Sequence, residues 1–149
     1  MTAAYADELT RWEYPRPYDR YSMLDTDPSE FLDPTSHFLA LVDAAGELAG
    51  FRSFGRDGQV PGGTYDDSAL DMGGGLRPDL TGRGLGGAAI QLGIDYAWEN
   101  FDIQKLRVTV WQENKRALKV LSALGFQSLD RFVATTTQEE YQILTLARR

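Results

Sequence analysis

The sequence predicts an α/β fold with strands of mixed direction, and three stretches carry that prediction. In KLRVTVW, the apolar residues Leu106, Val108 and Val110 alternate with polar ones, which is the period of a strand. The stretches AAIQLGIDYAW and ENKRALKVLSALGF on either side repeat their apolar residues at helical spacing. Helices that alternate with strands and present one apolar face are typical of an α/β sandwich.

The amino-terminal part predicts two short helices. The stretch AAYADELTRW contains helix formers, and Pro15 and Pro17 then prevent the helix from continuing. Asp27 is a suitable N-cap with Pro28 at the first helical position, which predicts a second short helix before Pro34.

The middle and the end of the chain predict the strands. From His37, two apolar runs around DAAGE indicate a β-hairpin. SALDMGGGLRP predicts a third strand, weakened by its glycines and bulged where the backbone opens. RFVAT and EEYQILTLA predict a final strand pair. The predicted order is α, α, β, β, β, loop, α, β, α, β, β, and we expect residues 1–149 to form a single domain.

Composition excludes several classes of function. The 149 residues carry a net charge of −7, the wrong sign for a nucleic-acid surface. No apolar run approaches the roughly 20 residues of a membrane span, and no signal peptide begins the chain, so we expect a cytoplasmic protein. The chain has no cysteine, and its one histidine, His37, begins a predicted strand, so we expect no metal site.

A glycine-rich loop lies where the third strand gives way to a helix. Gly82, Gly84, Gly86 and Gly87 leave room for a ligand beside the first N–H groups of the helix, which lack partners within it. Together with the helix dipole, such N–H groups bind phosphate or diphosphate. The alternative is a tight turn without a ligand. The P-loop sequence Gly-Lys-Ser/Thr is absent, and the match to a dinucleotide-binding fingerprint is poor.

Two motifs in the correct order make the loop more specific. RPDLTGRGLGGAAI, followed by a helix, a strand and NKRALKVLSALGF, resembles the acetyl-CoA-binding core of the GNAT superfamily of N-acetyltransferases. Thr81, Gly84 and Gly86 stand at the three defined positions of the first motif, and Thr81 departs from its usual Gln or Arg. The second motif is matched by Asn114, Ala117, Leu118, Gly125 and Phe126. The resemblance is clear from about residue 38 to residue 126.

The resemblance implies a site for acetyl-CoA as co-substrate. The backbone of Gly74, Gly75 and Leu76 would bind the pantetheine arm like an added strand, and Asn114 would hydrogen-bond the arm. The residues implied to hold the diphosphate are Gly82, Arg83, Gly84, Leu85, Gly86 and Gly87. For Asn114, helix capping is the alternative, and both roles are compatible.

The implied fold is a mixed, mostly antiparallel sheet flanked by helices. Members of the superfamily usually begin with a strand, whereas this chain enters helix-like residues almost at once. Either the first strand is missing or the coding start lies upstream. The sheet edge that it would cover could pair with a second copy of the chain, which makes a homodimer possible.

The implied reaction is attack of a primary amine on the thioester within a ternary complex. Deprotonating an amine of pKa about 10.4 costs roughly 4.6 kcal/mol at pH 7, whereas releasing a thiolate of pKa about 8.5 costs roughly 2 kcal/mol. A base is therefore needed more than an acid. Leu121 stands where the family often has a tyrosine acid, and Thr109 where some members have a glutamate base. Asp71 is our candidate base, acting through water or a raised pKa; an exposed strand or bulge carboxylate is the alternative.

The sequence leaves the acceptor open. Trp12, Tyr14, Tyr18 and Tyr21 would form one wall of the acceptor site, or else a hydrophobic cover for the sheet. The acidic charge favours a cationic acceptor, such as the amine of a small molecule or of a protein N-terminus. Two alternatives to an enzyme are an acyl-CoA-binding module without turnover and an interaction domain that keeps only the fold.

Overall fold

The computed structural model describes all 149 residues and contains three α-helices and six strands. The helices are α1 (Ala3–Leu9), α2 (Gly86–Asn100) and α3 (Lys115–Ala123). The strands are β1 (Phe38–Val42), β2 (Leu48–Phe54), β3 (Leu70–Leu76), β4 (Lys105–Trp111), β5 (Gln127–Val133) and β6 (Glu140–Ala147). This order of elements confirms the sequence prediction, except that the second amino-terminal element is not an α-helix.

All six strands join one sheet, in the order β1-β2-β3-β4-β6-β5. The neighbours are antiparallel except for β3 and β4, which run parallel. A mixed, mostly antiparallel sheet flanked by helices is the predicted fold class, and no strand precedes α1. None of the three helices combines the length and the apolar composition that a membrane-spanning helix requires.

The two faces of the sheet are covered by different parts of the chain. Helices α2 and α3 cover one face, where Met72, Leu106 and Val108 pack with Ile94 and Leu121 in the larger hydrophobic core. The amino-terminal segment covers the other face with a second cluster, formed by Ala6, Leu9, Trp12, Phe31 and Leu48. We call these the helix face and the amino-terminal face.

The predicted second helix is a 3₁₀ turn, Pro28–Leu32. Asp27 is its N-cap, as predicted, and its side chain accepts a hydrogen bond from the backbone N–H of Ser29 at 2.9 Å. Tyr18–Tyr21 forms another 3₁₀ turn. Pro34 lies two residues after Leu32 and prevents the turn at Pro28–Leu32 from lengthening into an α-helix.

Strand β3 differs from its prediction. We expected a bulge among its glycines, but β3 pairs with β2 in unbroken register from Met72 to Leu76. Gly74 instead has a φ of +148°, a conformation that side chains disfavour. The irregularity therefore lies in one dihedral angle and not in an extra residue.

Candidate functional site

The central feature of the sheet is a gap between β3 and β4. The two strands pair only at Leu70 with Leu106 and at Asp71 with Arg107. Beyond these pairs, β3 continues beside β2 alone, and β4 continues beside β6. The strands therefore separate towards their carboxyl ends, and their facing backbone groups are left without a partner strand.

The closed end of the gap is held by a buried ion pair. Arg107 donates from Nε to Oδ1 of Asp71 at 2.7 Å and from Nη2 to Oδ2 at 2.8 Å. Asp71 is 2% exposed and Arg107 is 5% exposed. Hydrogen bonds to Asp71 and Asp66 raise the pKa of Arg107 above its ordinary value, so the guanidinium stays charged. The pair joins the last two hydrogen-bonded residues before the strands separate.

This arrangement gives Asp71 different surroundings from those expected. Gln59 donates from Nε2 to Oδ2 of Asp71 at 2.9 Å, so both carboxylate oxygens already accept hydrogen bonds. The alternative of an exposed strand carboxylate is wrong, because the residue is buried. The catalytic role of Asp71 stays a prediction, and its buried ion pair with Arg107 favours a structural one.

The open end of the gap leads to the glycine-rich loop and the start of α2. The backbone N–H groups of residues 82–88 donate no hydrogen bond to any acceptor in the protein. The first N–H of the helix that donates is that of Ala89, to Leu85 O at 3.1 Å. Leu85, the N-cap, provides no side-chain hydrogen bond. Seven successive N–H groups thus remain free at the positive end of a 15-residue helix dipole.

The loop geometry depends on its glycines and brings one cation close. Gly82 and Gly84 have φ values of +71° and +77°, which other residues rarely adopt. A Cβ placed on Gly82 would lie 3.0 Å from Nη1 of Arg116, so this guanidinium lies against the loop. Arg83 is exposed within the loop, whereas Arg77 is bound to Asp79. The loop therefore combines free N–H groups with local positive charge.

Strand β3 presents a free edge to the gap. Arg77 donates its N–H to Ala49 O on β2 at 2.8 Å. Because backbone groups of antiparallel strands alternate in direction, those of Leu76, Gly74 and Met72 face away from β2 and towards the gap. The edge that the resemblance assigns to an extended ligand is thus open at Gly74.

The amino-terminal segment spans the open end on its face of the sheet. Tyr14 donates its hydroxyl to Leu76 O at the end of β3, and burial raises the pKa of Tyr14 to about 12. On the far side, Tyr21 accepts a hydrogen bond from Nδ2 of Asn114 at 3.0 Å. Oδ1 of Asn114 accepts from Ala117 N–H at 3.2 Å, which confirms that Asn114 is the N-cap of α3. Both ends of its amide group are therefore already engaged.

The positions at which the resemblance would place an acid and a base hold Leu121 and Thr109. Leu121 is 3% exposed within the larger core, as its position on the helix predicted, so it offers no proton donor. Thr109 on β4 lies 3.1 Å from the hydroxyl of Tyr65, measured from Oγ1. Sequence analysis missed Tyr65, because only the folded loop that precedes β3 places it beside β4.

Sequence analysis also missed Arg52, which lies on the helix face of β2 opposite Gly74. It is 7% exposed, and its only hydrogen bond runs from Nε to the backbone oxygen of Phe51 at 2.8 Å. No carboxylate interacts electrostatically with Arg52. Burial is the main cause of its lowered pKa, which falls to about 10. An arginine inside an apolar strand pattern was the available signal, but the pattern did not reveal that its charge lacks an acidic partner.

The chain belongs to the acetyltransferase (GNAT) domain family, whose model matches residues 2–127. The protein is therefore an acetyltransferase of this family, as its two motifs predicted. A comparison with curated proteins found no match to this sequence.

Solved structures share the fold. A chimera of the spermidine N-acetyltransferase SpeG from Vibrio cholerae and hSSAT is 16% identical, with a TM-score of 0.72 over 99% of this chain and 92% of that one. RimJ from Mycobacterium smegmatis, in complex with CoA-disulfide, is 18% identical, with a TM-score of 0.69 over 99% of this chain and 79% of that one. A ribosomal-protein alanine acetyltransferase from Vibrio fischeri is 16% identical, with a TM-score of 0.62 over 99% of this chain and 90% of that one.

Proposed function

We propose that the protein transfers an acetyl group from acetyl-CoA to a primary amine, carried by a small molecule or by a protein N-terminus. The observation that carries this proposal is the run of seven free N–H groups at residues 82–88, at the open end of the gap. Membership of the acetyltransferase family supports the same reaction.

The loop would hold the diphosphate of the donor. N–H groups of Gly82, Arg83, Gly84, Leu85, Gly86 and Gly87 would donate to it, and the dipole of α2 would favour its charge. Arg116, beside Gly82, adds a cation at the same end. These groups need no rearrangement to bind an anion, because nothing in the protein competes for the N–H groups.

The free edge of β3 would hold the pantetheine arm. The backbone groups of Gly74 and Leu76 face the gap, and an extended chain with amide groups can pair with them as a strand would. Asn114 would contact the same arm only by sharing or exchanging its hydrogen bond to Tyr21. The donor would supply the activated acyl thioester, and the protein orients it for attack.

The acceptor would approach from the amino-terminal face, where Tyr14 and Tyr21 border the gap. The net charge of −7 favours a cationic acceptor. Neighbours in structure include a spermidine acetyltransferase and a ribosomal-protein alanine acetyltransferase, so this fold serves both small and protein amines. The neutral amine attacks the acyl carbon directly within the ternary complex, and no covalent enzyme intermediate is needed.

The participation of all six strands in one sheet supports the prediction that residues 1–149 form a single domain. The sheet ends in β1 on one side and β5 on the other, so both are edge strands. Pairing of such an edge between two copies remains our prediction for a homodimer.

Gly86→Asp tests the loop, with Gly86→Asn as the matched neutral control. A Cβ on Gly86 would meet only Cγ2 of Val120 at 3.9 Å, so both side chains fit. We expect the Asp variant to bind acetyl-CoA roughly 10- to 100-fold more weakly by calorimetry, because its charge repels the diphosphate. The Asn variant should bind more tightly than the Asp variant. Equal affinity of the Asp variant and the unchanged protein would refute the loop assignment.

The acyl-CoA-binding module remains the second candidate, because the family's tyrosine acid is replaced by Leu121. Thiol release from acetyl-CoA, followed with a panel of primary amines, separates the two functions. Release that depends on an added amine supports the enzyme. Tight binding without amine-dependent release from any acceptor class supports the module.

A further inference from the structure

Arg52 is a buried cation for which the fold provides no counter-ion. The residue is 7% exposed and forms no ion pair, whereas the other buried arginine, Arg107, is held by Asp71. Burying an unpaired charge is expensive, so proteins rarely keep one without a use for it.

Two glycines make the room that Arg52 occupies. A Cβ on Gly74 would lie 2.4 Å from both Nε and Cζ of Arg52, so the guanidinium rests directly on the Gly74 backbone. A Cβ on Gly93 of α2 would lie 2.7 Å from Cδ of Arg52. The side chain therefore fits only because β3 and α2 both lack a side chain where it passes.

The terminal nitrogens of Arg52 are available to a ligand. Nε is bound to Phe51 O, but Nη1 and Nη2 have no hydrogen-bond partner in the protein. The structure contains no fully buried side-chain nitrogen or oxygen that lacks a hydrogen-bond partner. Because Nη1 and Nη2 lack partners, both must therefore keep some contact with solvent. The guanidinium group of Arg52 therefore faces an opening beside Gly74, in the part of β3 that is no longer paired with β4.

The position of Gly74 indicates which part of the donor would lie there. Within the proposed function, on which this inference rests, the diphosphate lies at the loop of residues 82–87 and the arm follows Leu76, Gly75 and Gly74. Gly74 is the assigned arm residue farthest from the loop. The guanidinium thus lies at the thioester end of the arm.

We propose that Arg52 binds the thiolate that leaves when the acyl group is transferred, and so replaces the proton donor that is missing at Leu121. In the transfer, the amine nitrogen forms a bond to the acyl carbon, and the carbon–sulfur bond breaks with its electron pair on sulfur. The amine proton goes to water. The thiolate pairs with Arg52 and takes a proton from water only after it leaves the site.

The electrostatic surroundings suit this role. Tyr14 is the titratable group that interacts electrostatically with Arg52, and because its pKa is raised to about 12 it carries no charge at neutral pH. The neighbouring groups on β3 and α2, Gly74, Met72 and Gly93, do not titrate. A pKa of about 10 leaves Arg52 itself charged up to about pH 9. A thiolate beside Arg52 would therefore meet one fixed positive charge.

The test measures the pKa of the CoA thiol while CoA is bound. The ultraviolet absorbance of the CoA thiolate in the complex is recorded between pH 6 and 9. Calorimetry gives the fraction of protein that has CoA bound. The complex with a CoA analogue that lacks the sulfur atom supplies the baseline absorbance. An ordinary thiol has a pKa of about 8.5, and thiols beside arginine can fall to roughly 7.5 or lower. We expect a value at or below about 7.5 in the unchanged protein, a return to about 8.5 in Arg52→Gln, and an intermediate value in Arg52→Lys.

Kinetics provide a second measurement, with Arg131→Gln on the exposed strand β5 as the control. At pH 7 an ordinary thiol is about 30-fold more protonated than ionised, so Arg52→Gln should lower kcat by roughly 10- to 30-fold while the Kd of acetyl-CoA changes little. Arg131→Gln should change neither.

Each outcome decides the proposal. CoA that binds with an ordinary thiol pKa in the unchanged protein overturns the role of Arg52 and leaves the proposed function intact. A protein that binds no CoA overturns both. If Arg52→Gln fails to fold, the unchanged protein and Arg52→Lys still decide, because a lowered thiol pKa is measured without the Gln variant.

Discussion

A buried arginine lies at each end of the gap between β3 and β4, and the two differ in their hydrogen-bond partners. At the closed end, Arg107 is bonded by Asp71 and Asp66, and its charge is fully matched. At the open end, Arg52 is equally buried and has only the oxygen of Phe51. The first arginine joins two strands, and the second lies where the strands have parted.

This difference separates structural charge from available charge. A guanidinium whose donors are matched by carboxylates has little left to offer a ligand. A guanidinium with free donors costs stability until an anion arrives. We therefore expect Asp71 to stabilise the sheet and the negatively charged thiolate of CoA to bind at the open end.

The largest expected effect comes from breaking the closed end. Asp71→Asn leaves Arg107 buried with a weaker partner and should lower the free energy of unfolding by about 3 kcal/mol. Urea unfolding measures this loss. Asp67→Asn, one loop position beyond Asp66 and exposed, is the control and should change stability by less than about 0.5 kcal/mol.

A double variant sharpens the same test. Asp71→Val together with Arg107→Met removes both charges and should recover much of the lost stability, because neither partner is left alone.

The acetyl-transfer rate of folded Asp71→Asn tests whether Asp71 is the catalytic base. Normal turnover at every pH would remove Asp71 from catalysis, whereas a loss of turnover with intact acetyl-CoA binding would restore it as the candidate.

The next effect concerns the open end. A Cβ on Gly74 would lie 2.3 Å from Phe51 O, and the φ of +148° is unfavourable for alanine, so Gly74→Ala should cost about 2 kcal/mol. Gly87→Ala is the matched control, since its nearest atom would be 3.8 Å away within a helix. Thermal unfolding should show a fall for the first and an unchanged or slightly higher midpoint for the second. Equal midpoints would mean that Gly74 does not hold the strand and Arg52 in place.

The smallest effect lies at the exposed rim of the closed end. Hydrogen bonds from Ser68, and then from Arg107, lower the pKa of Asp66 to about 2. Because the folded value lies below the ordinary one of about 3.9, the stabilisation is complete above pH 4 and is lost as the pH falls through 2. Ser68→Ala should raise the pKa of Asp66, as measured by carboxyl NMR, while Asp67→Asn should leave it unchanged. An unchanged value in Ser68→Ala would assign the shift to the backbone N–H of residue 68 and to Arg107 instead of the serine hydroxyl.

The local elements could be predicted because their signals are short-range. The alternation around Val108, the cap at Asn114 and the glycines of the loop each reflect a local conformational preference. The bulge expected in β3 was wrong because a glycine can absorb the irregularity in one φ angle, and sequence gives no means to choose between the two.

The side-chain partners could not be predicted in the same way. Sequence showed Arg107 on the polar side of β4, but its burial depends on Asp71, which lies 36 residues earlier in the chain. Tyr65 meets Thr109 from a loop 44 residues away, and Tyr21 meets Asn114 across 93 residues. None of these contacts follows from spacing along the chain.

Residues that lie close together in the chain were enough to predict most of the elements, the family and the glycine-rich loop. That Asp71 is bound to an arginine and that Arg52 has no acidic partner depends on how the strands pair. The charge of a side chain is written in the sequence, but the distance to its counter-ion, and the water removed around both, exist only after the strands have paired.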